Sequence, residues 1–399
     1  MPTPGLGAMI RSRALPWVGS ARRLASGATG PVDSQVDLEV LRTIEPLRAE
    51  WSELAERGGN VFQTWEWAAS WWRHFGRGRE LRVTAIRSEG KLIGILPFYM
   101  WAARPLRILR FLGHGPGDQL GPIVRDGHRQ TVARALPAAL AQLDWDLILA
   151  EQLAVDQGWS SFLAGRRIVR EASPVLRFGN AGWEGFVRAR SRNFREQLGR
   201  RERKLAREQR VRYRLAAAGD LESDLDILFR LHRARWTGRY SGFLADEPFH
   251  RSFAAAASER GWLRLWFLEV DGEPVAAVYG FRLSDTECYY QAGRDRRWDH
   301  YRVGFVLLAH TIRAAADDGM VEYRLLRGDR EYKHRFETHD PGLETVGVSS
   351  GLTTPGFRLL DTSLAMPDPI GSLARRGVRG FLARSHRPWR SWRSSVGRG

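Results

Sequence analysis

Cysteine is almost absent from this chain: Cys288 is the only one in 399 residues. That excludes an internal disulfide and a cysteine-rich metal site, and it is compatible with a reducing compartment. Lysine is nearly as scarce. Of the 62 basic residues only Lys91, Lys204 and Lys333 are lysines, and the rest are arginines. Long apolar runs are missing too, since the candidate at 92–103, LIGILPFYMWAA, falls short of the 18 or so residues that a membrane-spanning helix needs. A cytoplasmic protein is expected, with peripheral membrane association as its one qualification. Several chemical signatures are also lacking. There is no GxGxxG for a dinucleotide, no GxxxxGK(S/T) for a nucleoside triphosphate and no GxSxG for a hydrolase nucleophile. No two histidines stand at i and i+4 around an acid, which gives a zinc hydrolase no support, and no metal is expected.

Acidic residues are missing from both ends. Residues 1–32 and 371–399 contain no Asp or Glu and carry +12 of the formal net charge of +17. The excess therefore belongs mostly to the ends and not to a nucleic-acid-binding face, so no DNA partner is expected. Both ends are rich in Gly, Ser, Pro and Ala, which predicts a disordered basic leader at 1–35 and a basic flexible tail at 356–399. In so Arg-biased a chain the leader reads as a tail, or as a start upstream of a native one such as Met9, in preference to a transit peptide. The run Gly371–Trp392 has the Leu, Phe, Trp and Arg needed to lie on an anionic membrane face, although a solvated tail is the commoner outcome.

What is present argues for folded structure. Hydrophobic residues make up 43% of the chain and tryptophan occurs 16 times, and the length suits two domains. The pattern divides at about residue 172, giving an N-terminal unit at 36–172 and a C-terminal unit at 173–355. In the first, a strand at 36–42 precedes a helix at 45–57 and a tryptophan-rich helix at 64–75, read as core. Strands at 79–87 and 91–101 flank the hairpin signal Ser88-Glu89-Gly90, and a strand near 106–112, a helix at 129–143 and a strand at 145–150 follow. The second unit opens with the Arg-rich run 183–210, followed by a strand at 212–216 and helices at 221–238 and 248–260. Strands then fall at 262–270, 273–283 and 287–291. The tract Trp298–Phe336 reads as a basic glycine turn, a helix with Phe305, Leu308, Ala309, Ile312 and Ala316 on its buried stripe, a strand at 322–326, and a Gly328-Asp329 turn into Tyr332 and Lys333.

A strand, a basic glycine turn and a helix form a phosphate site in many folds, because the helix N-terminus presents free N–H groups and partial positive charge. Close helix–sheet packing is the competing explanation for Gly304. A solvated loop competes for Arg294, Arg296, Arg297 and Arg302.

Four features carry a family resemblance: the aromatic stretch Phe62–Trp72, the Arg-rich arm Ser191–Leu205, Arg302-Val303-Gly304 before a helix, and Gly328-Asp329-Arg330-Glu331-Tyr332-Lys333. Over residues 36–350 the chain resembles the GNAT superfamily of N-acyltransferases, of the CelD/BcsL type with a BioF2-like acetyltransferase domain. More distantly it resembles the FemAB ligases, which pair two such domains and use aminoacyl-tRNA. The resemblance implies an α/β (α+β) fold of tandem GNAT-like domains. Each would be a mixed central sheet flanked by helices, the second with splayed central strands that admit the pantetheine arm of acyl-CoA, acetyl-CoA above all. Gln291 on the strand before the turn, together with Arg302, Val303, Gly304, Phe305 and Val306, would bind this cosubstrate. One departure stands out: the superfamily's Gly-x-Gly or Gly-x-Ala turn is reduced here to a single glycine.

Acyl transfer needs a base for the acceptor and a proton for the departing thiolate. Asp329 and Tyr332 are the candidates for base and acid, against the readings of a plain turn former and a core residue. Lys333 is the candidate for contact with anionic substrate. Asp118, in the loop GHGPGDQLGP, borders the expected acceptor cleft or simply forms a turn. The acceptor implied is a small-molecule or sugar amine or hydroxyl in exopolysaccharide or cell-envelope metabolism. The alternatives are an aminoacyl-tRNA donor held by the Arg-rich arm, and a non-catalytic protein binding anionic surfaces.

Overall fold

The computed structural model describes residues 36–350, apart from residue 59 and residues 103–105. The expected basic leader, the expected tail and the run 371–392 within it lie outside the described residues. The first unit begins with strand β1 (Val36–Leu41), helices α1 (Arg48–Arg57) and α2 (Trp65–Phe75), and strands β2 (Glu80–Ser88), β3 (Lys91–Ala102), β4 (Ile108–Phe111) and β5 (Ile123–Val124). Helix α3 (Arg129–Ala141), β6 (Leu147–Ala154) and β7 (Arg166–Glu171) complete it. The second contains β8 (Val175–Arg177), α4 (Gly182–Ala189), α5 (Arg192–Glu208), β9 (Val211–Leu215), α6 (Leu221–Arg235) and α7 (Glu247–Glu259). Strands β10 (Leu263–Val270), β11 (Glu273–Leu283) and β12 (Thr286–Arg294), helix α8 (Val303–Asp317), and strands β13 (Glu322–Arg324) and β14 (Leu343–Ser349) follow.

Two mixed sheets result. One runs β1-β2-β3-β4-β6-β14-β7, with β5 on β3, and the other runs β8-β13-β12-β11-β10-β9. Each contains one parallel pair, β4 with β6 and β12 with β13. The sheets cut across the division expected at residue 172. Strand β14, assigned from sequence to the second unit, is inserted between β6 and β7 of the first sheet. The reason is pairing: β6 is buried along almost its whole length, and its outer edge takes hydrogen bonds from a strand nearly 200 residues later.

Local chemistry explains the element ends. Thr64 caps α2 by accepting from the Trp67 N–H at 3.2 Å. The single basic helix expected over 183–210 is two helices, because Arg190 is extended and Ser191 starts a new cap by accepting from the Phe194 N–H at 3.2 Å. Gly319, at φ 78°, closes α8 in the left-handed region that favours glycine.

The aromatic helix α2 is core, and it also joins the units. Trp67 and Trp71 are fully buried, and Trp67 packs edge-to-face on Phe249 and Phe253 of α7 at 5.0 and 4.6 Å. Helices α6 and α8 cover opposite faces of the second sheet. Alternate β11 residues separate accordingly: Ala277, Tyr279 and Phe281 pack with α6, while Ala276 and Val278 pack with α8.

Candidate functional site: a parted strand pair

The ladder between β12 and β13 has three rungs, Thr286 with Glu322, Glu287 with Tyr323 and Cys288 with Arg324. Strand β12 then continues to Arg294 along β11, while β13 stops at Arg324. The two strands part beyond Cys288, so the edge from Tyr289 to Arg294 has no strand on the β13 side. A bulge accompanies the parting. Tyr279 faces Gln291 and Gly280 faces Tyr289, leaving Tyr290 as the extra residue. A Cβ at Gly280 would collide with the Cys288 carbonyl, so glycine is required there. The bulge sends Tyr289 to the α8 face and Tyr290 to the α6 face.

At the end of β12 the chain turns through the 3-10 segment Arg296–Tyr301 to Arg302, which is left-handed at φ 56° and precedes α8. Arg294 and Arg297 pair with Asp299 and Asp295, so these two are loop-bracing residues. Arg302 is exposed at the head of the helix. The Val303 and Val306 side chains are fully buried, and the N–H groups of Phe305 and Val306 already donate to the Arg302 carbonyl at 2.9 and 3.1 Å, which leaves the backbone N–H groups of Val303 and Gly304 for a donor. Gly304 is not a packing necessity. A Cβ there would meet only the Arg294 Cδ at 3.5 Å, an ordinary contact. Gln291 lies on the parted stretch of β12, and Phe305 is half-buried beneath arginines of α5 and of the segment after Lys333.

Tyr332 reaches the mouth of the opening, where its hydroxyl donates to Tyr289 Oη at 3.2 Å. Arg235, at the end of α6, interacts with both phenols and donates to the Ala292 carbonyl at 3.1 Å. Burial holds the Tyr332 phenol well above its ordinary range, with Tyr289 adding to the effect and Arg235 opposing it. It therefore stays protonated at working pH. Lys333 is buried and donates to the carbonyls of Leu326 and Arg327 at 3.0 and 2.7 Å. These span the turn after β13, where Leu326 and Gly328 have φ 59° and 119°. Burial pulls the Lys333 ammonium down to about 8, opposed by the charge of Asp118.

Asp118 reaches this place from the first unit. Its Oδ2 accepts the Arg327 N–H at 2.8 Å, whereas Oδ1 is buried without a hydrogen-bond partner among the described residues. Burial raises its pKa, against the pull of Arg327 and Lys333. Neighbouring loop residues hold it in place: the Pro116 carbonyl accepts from Tyr290 Oη at 2.7 Å, and Gln119 Oε1 accepts from Arg324 at 2.8 Å. Asp118 is thus no plain surface turn.

Asp329 lies elsewhere. Its side chain is 82% exposed and bonded to His334, which Glu337 also engages at 3.0 Å. Gly328 turns the chain outward, leaving Asp329, Arg330 and Glu331 exposed, so Asp329 does not join Tyr332 in the opening. The expected base is corrected on that ground. Sequence reasoning missed Arg235 and Tyr289, which carry no motif, and assigned Asp118 no chemistry.

A scan against family models matches residues 192–334 to an acetyltransferase (GNAT) domain. Among solved structures, FemX superposes with a TM-score of 0.58 at 10% identity, over 80% of this chain and 99% of that one. A conserved protein of unknown function from Bacteroides thetaiotaomicron gives 0.50 at 11% identity, over 78% and 99%. The C-terminal domain of a protein assigned as a lysylphosphatidylglycerol synthetase from Agrobacterium fabrum gives 0.50 at 10% identity, over 81% and 97%. No curated protein matches the chain. At these identities the structural likeness speaks for the fold. Residues 192–334 thus match a GNAT domain, and the described chain as a whole shares its fold with FemX.

Proposed function

We propose that the protein transfers an acyl group from acyl-CoA to an amine or hydroxyl of a small molecule or sugar, in envelope or exopolysaccharide metabolism. The observation that carries this reading is the parted β12/β13 pair ending at a basic helix turn. The residues fit such a donor. Gly304 leaves room for close approach to the backbone, and Arg302 adds charge where a diphosphate would meet the N–H groups of Val303 and Gly304. When bound, the thioester supplies the activated acyl group.

The chain's own residues divide the remaining work. Tyr332, kept protonated by burial, would turn its hydroxyl proton from Tyr289 to the departing sulfur, with Arg235 fixing the phenol's position. Asp118 takes the base role in place of Asp329. Its unpartnered Oδ1 and raised pKa suit a carboxylate that receives the acceptor's proton. Lys333 positions the turn that closes the opening by holding two consecutive carbonyls. Calorimetry with coenzyme A tests the donor, and absence of heat with the full chain would overturn it.

A second reading, with aminoacyl-tRNA as donor, draws on α5. This helix packs through Phe194, Leu198 and Leu205 and leaves Arg192, Arg195, Arg200, Arg203 and Arg207 exposed. Binding of tRNA that weakens steeply with salt, with no heat from coenzyme A, would favour it.

A further inference from the structure

Many partly buried arginines among the described residues meet a carboxylate. Arg110 has Glu151, Arg125 has Glu53, Arg214 has Asp224 and Glu269, and Arg251 has Glu222, Asp226 and Glu247. Arg201 and Arg335 do not; nor do Arg190 and Arg235, but these two donate to the Glu337 and Ala292 carbonyls. Neither Arg201 nor Arg335 forms an ion pair with an acid among the described residues, and the two share one neutral acceptor, Gln197 Oε1, at 3.1 and 2.9 Å. Both guanidinium groups lie over the ring of Phe305, at 4.7 and 5.2 Å from its centroid. The charges acting on Arg201 are those of Arg335, Arg302 and Arg200, all repulsive. The acids of the adjoining turn, Asp299 and Asp295, are engaged by Arg294 and Arg297.

Like charges held together at partial burial cost free energy unless an anion joins them. Stacking on Phe305 and the shared amide fix the guanidinium planes in place, which suits bidentate recognition of phosphate oxygens. The cluster borders the first turn of α8 and draws on three separate elements: the arm α5, the turn before α8 and the segment after Lys333.

We propose that Arg201 and Arg335, with Arg302 and Arg200 at the rim, form a subsite for a terminal phosphate monoester of the donor, beside the turn that receives its diphosphate. This rests on the acyl-CoA reading above. The charges balance: a diphosphate diester carries about two negative charges and a phosphate monoester about 1.5 to 2 more, against four arginines. The Arg-rich arm then serves as the outer wall of the donor site.

Calorimetry of the full chain with coenzyme A and with 3′-dephospho-coenzyme A, at fixed salt, tests this. The wild type should prefer coenzyme A by about tenfold or more, the scale of a charge-assisted contact. The double variant R201Q/R335Q should lose that preference while its affinity for the dephospho form changes by no more than about twofold. R201K, which keeps charge and stem, should retain part of the preference, and melting curves of each variant control for folding. Equal binding of both ligands by the wild type, or equal weakening of both in the double variant, would overturn the subsite. No binding of either ligand would overturn the donor reading itself, and the subsite with it. Salt-sensitive tRNA binding that R201Q/R335Q abolishes, without a preference between the two coenzymes, would also overturn it and assign the arginines to an RNA backbone.

Discussion

The two parallel strand pairs begin alike and end differently. Both β4/β6 and β12/β13 have three-rung ladders. In the first unit the pair stays shut. Arg110 at the end of β4 forms a buried ion pair with Glu151 of β6, its Nε donating at 2.7 Å, and the following loop returns Leu120 to bridge Leu153. In the second unit no such bolt follows the third rung. Tyr289, Arg235 and Tyr332 gather at the mouth instead, and the chain runs on to a helix N-terminus. The same ladder is thus locked in one sheet and parted in the other. The two are still joined, since the loop after β4 brings Asp118 to the Arg327 N–H beyond β13.

Breaking the bolt should have the largest effect. Glu151→Ala leaves a buried arginine without its carboxylate and should lower stability by roughly 3–5 kcal/mol in denaturant titration. Coenzyme A affinity of the protein that remains folded should not change. If affinity fell in step with stability, the two pairs would not be independent. Opposite behaviour is expected of Gly304→Glu, which places bulk and negative charge at the head of α8. It should weaken coenzyme A binding by about a hundredfold or more while the melting temperature holds, because nothing but an arginine side chain lies near its Cβ. Next come the groups at the mouth. Tyr332→Phe and Asp118→Asn should each lower kcat by about a hundredfold, within the range of general acid–base catalysis, with coenzyme A affinity retained. An unchanged kcat for either would return that residue to a structural role.

Lys333 should give the smallest and most gradual signal. Its ammonium titrates at about 8 in the fold, below its ordinary value of about 10.4, so the unfolded chain holds the extra proton between these values. Wild-type stability relative to Lys333→Met should therefore rise with pH across that window, by no more than about 1.4 kcal/mol per pH unit. A flat difference from pH 8 to 10 would mean that the lysine is not desolvated, and with it the turn that closes the opening.

Much of the second unit was legible because its signals are local. Leu308, Ala309 and Ile312 on the buried face of α8, Gly319 at its end and the Asp271-Gly272 hairpin follow from spacing and backbone preference, although Phe305 and Ala316, read into the same stripe, are only half-buried. The turn at Arg302 was legible for the same reason. Errors gathered where an outcome depends on distant partners. Asp329 and Tyr332 stand three residues apart, yet one faces solvent and the other the opening, because Gly328 redirects the chain. Asp118 read as a turn former because its partner, the Arg327 N–H, lies more than 200 residues away.

By itself, then, the sequence determined many of the helices and longer strands, the aromatic core helix, the basic turn and the concentration of charge at the ends, since each depends on neighbours along the chain. Only the tertiary structure decided which parallel pair parts, that β14 returns to the first sheet, that Asp118 is buried while Asp329 faces solvent, and that Arg201 and Arg335 have no ion pair among the described residues. Burial and pairing across long separations set hydrogen-bond partners and pKa values, and neither is written in any single stretch of residues.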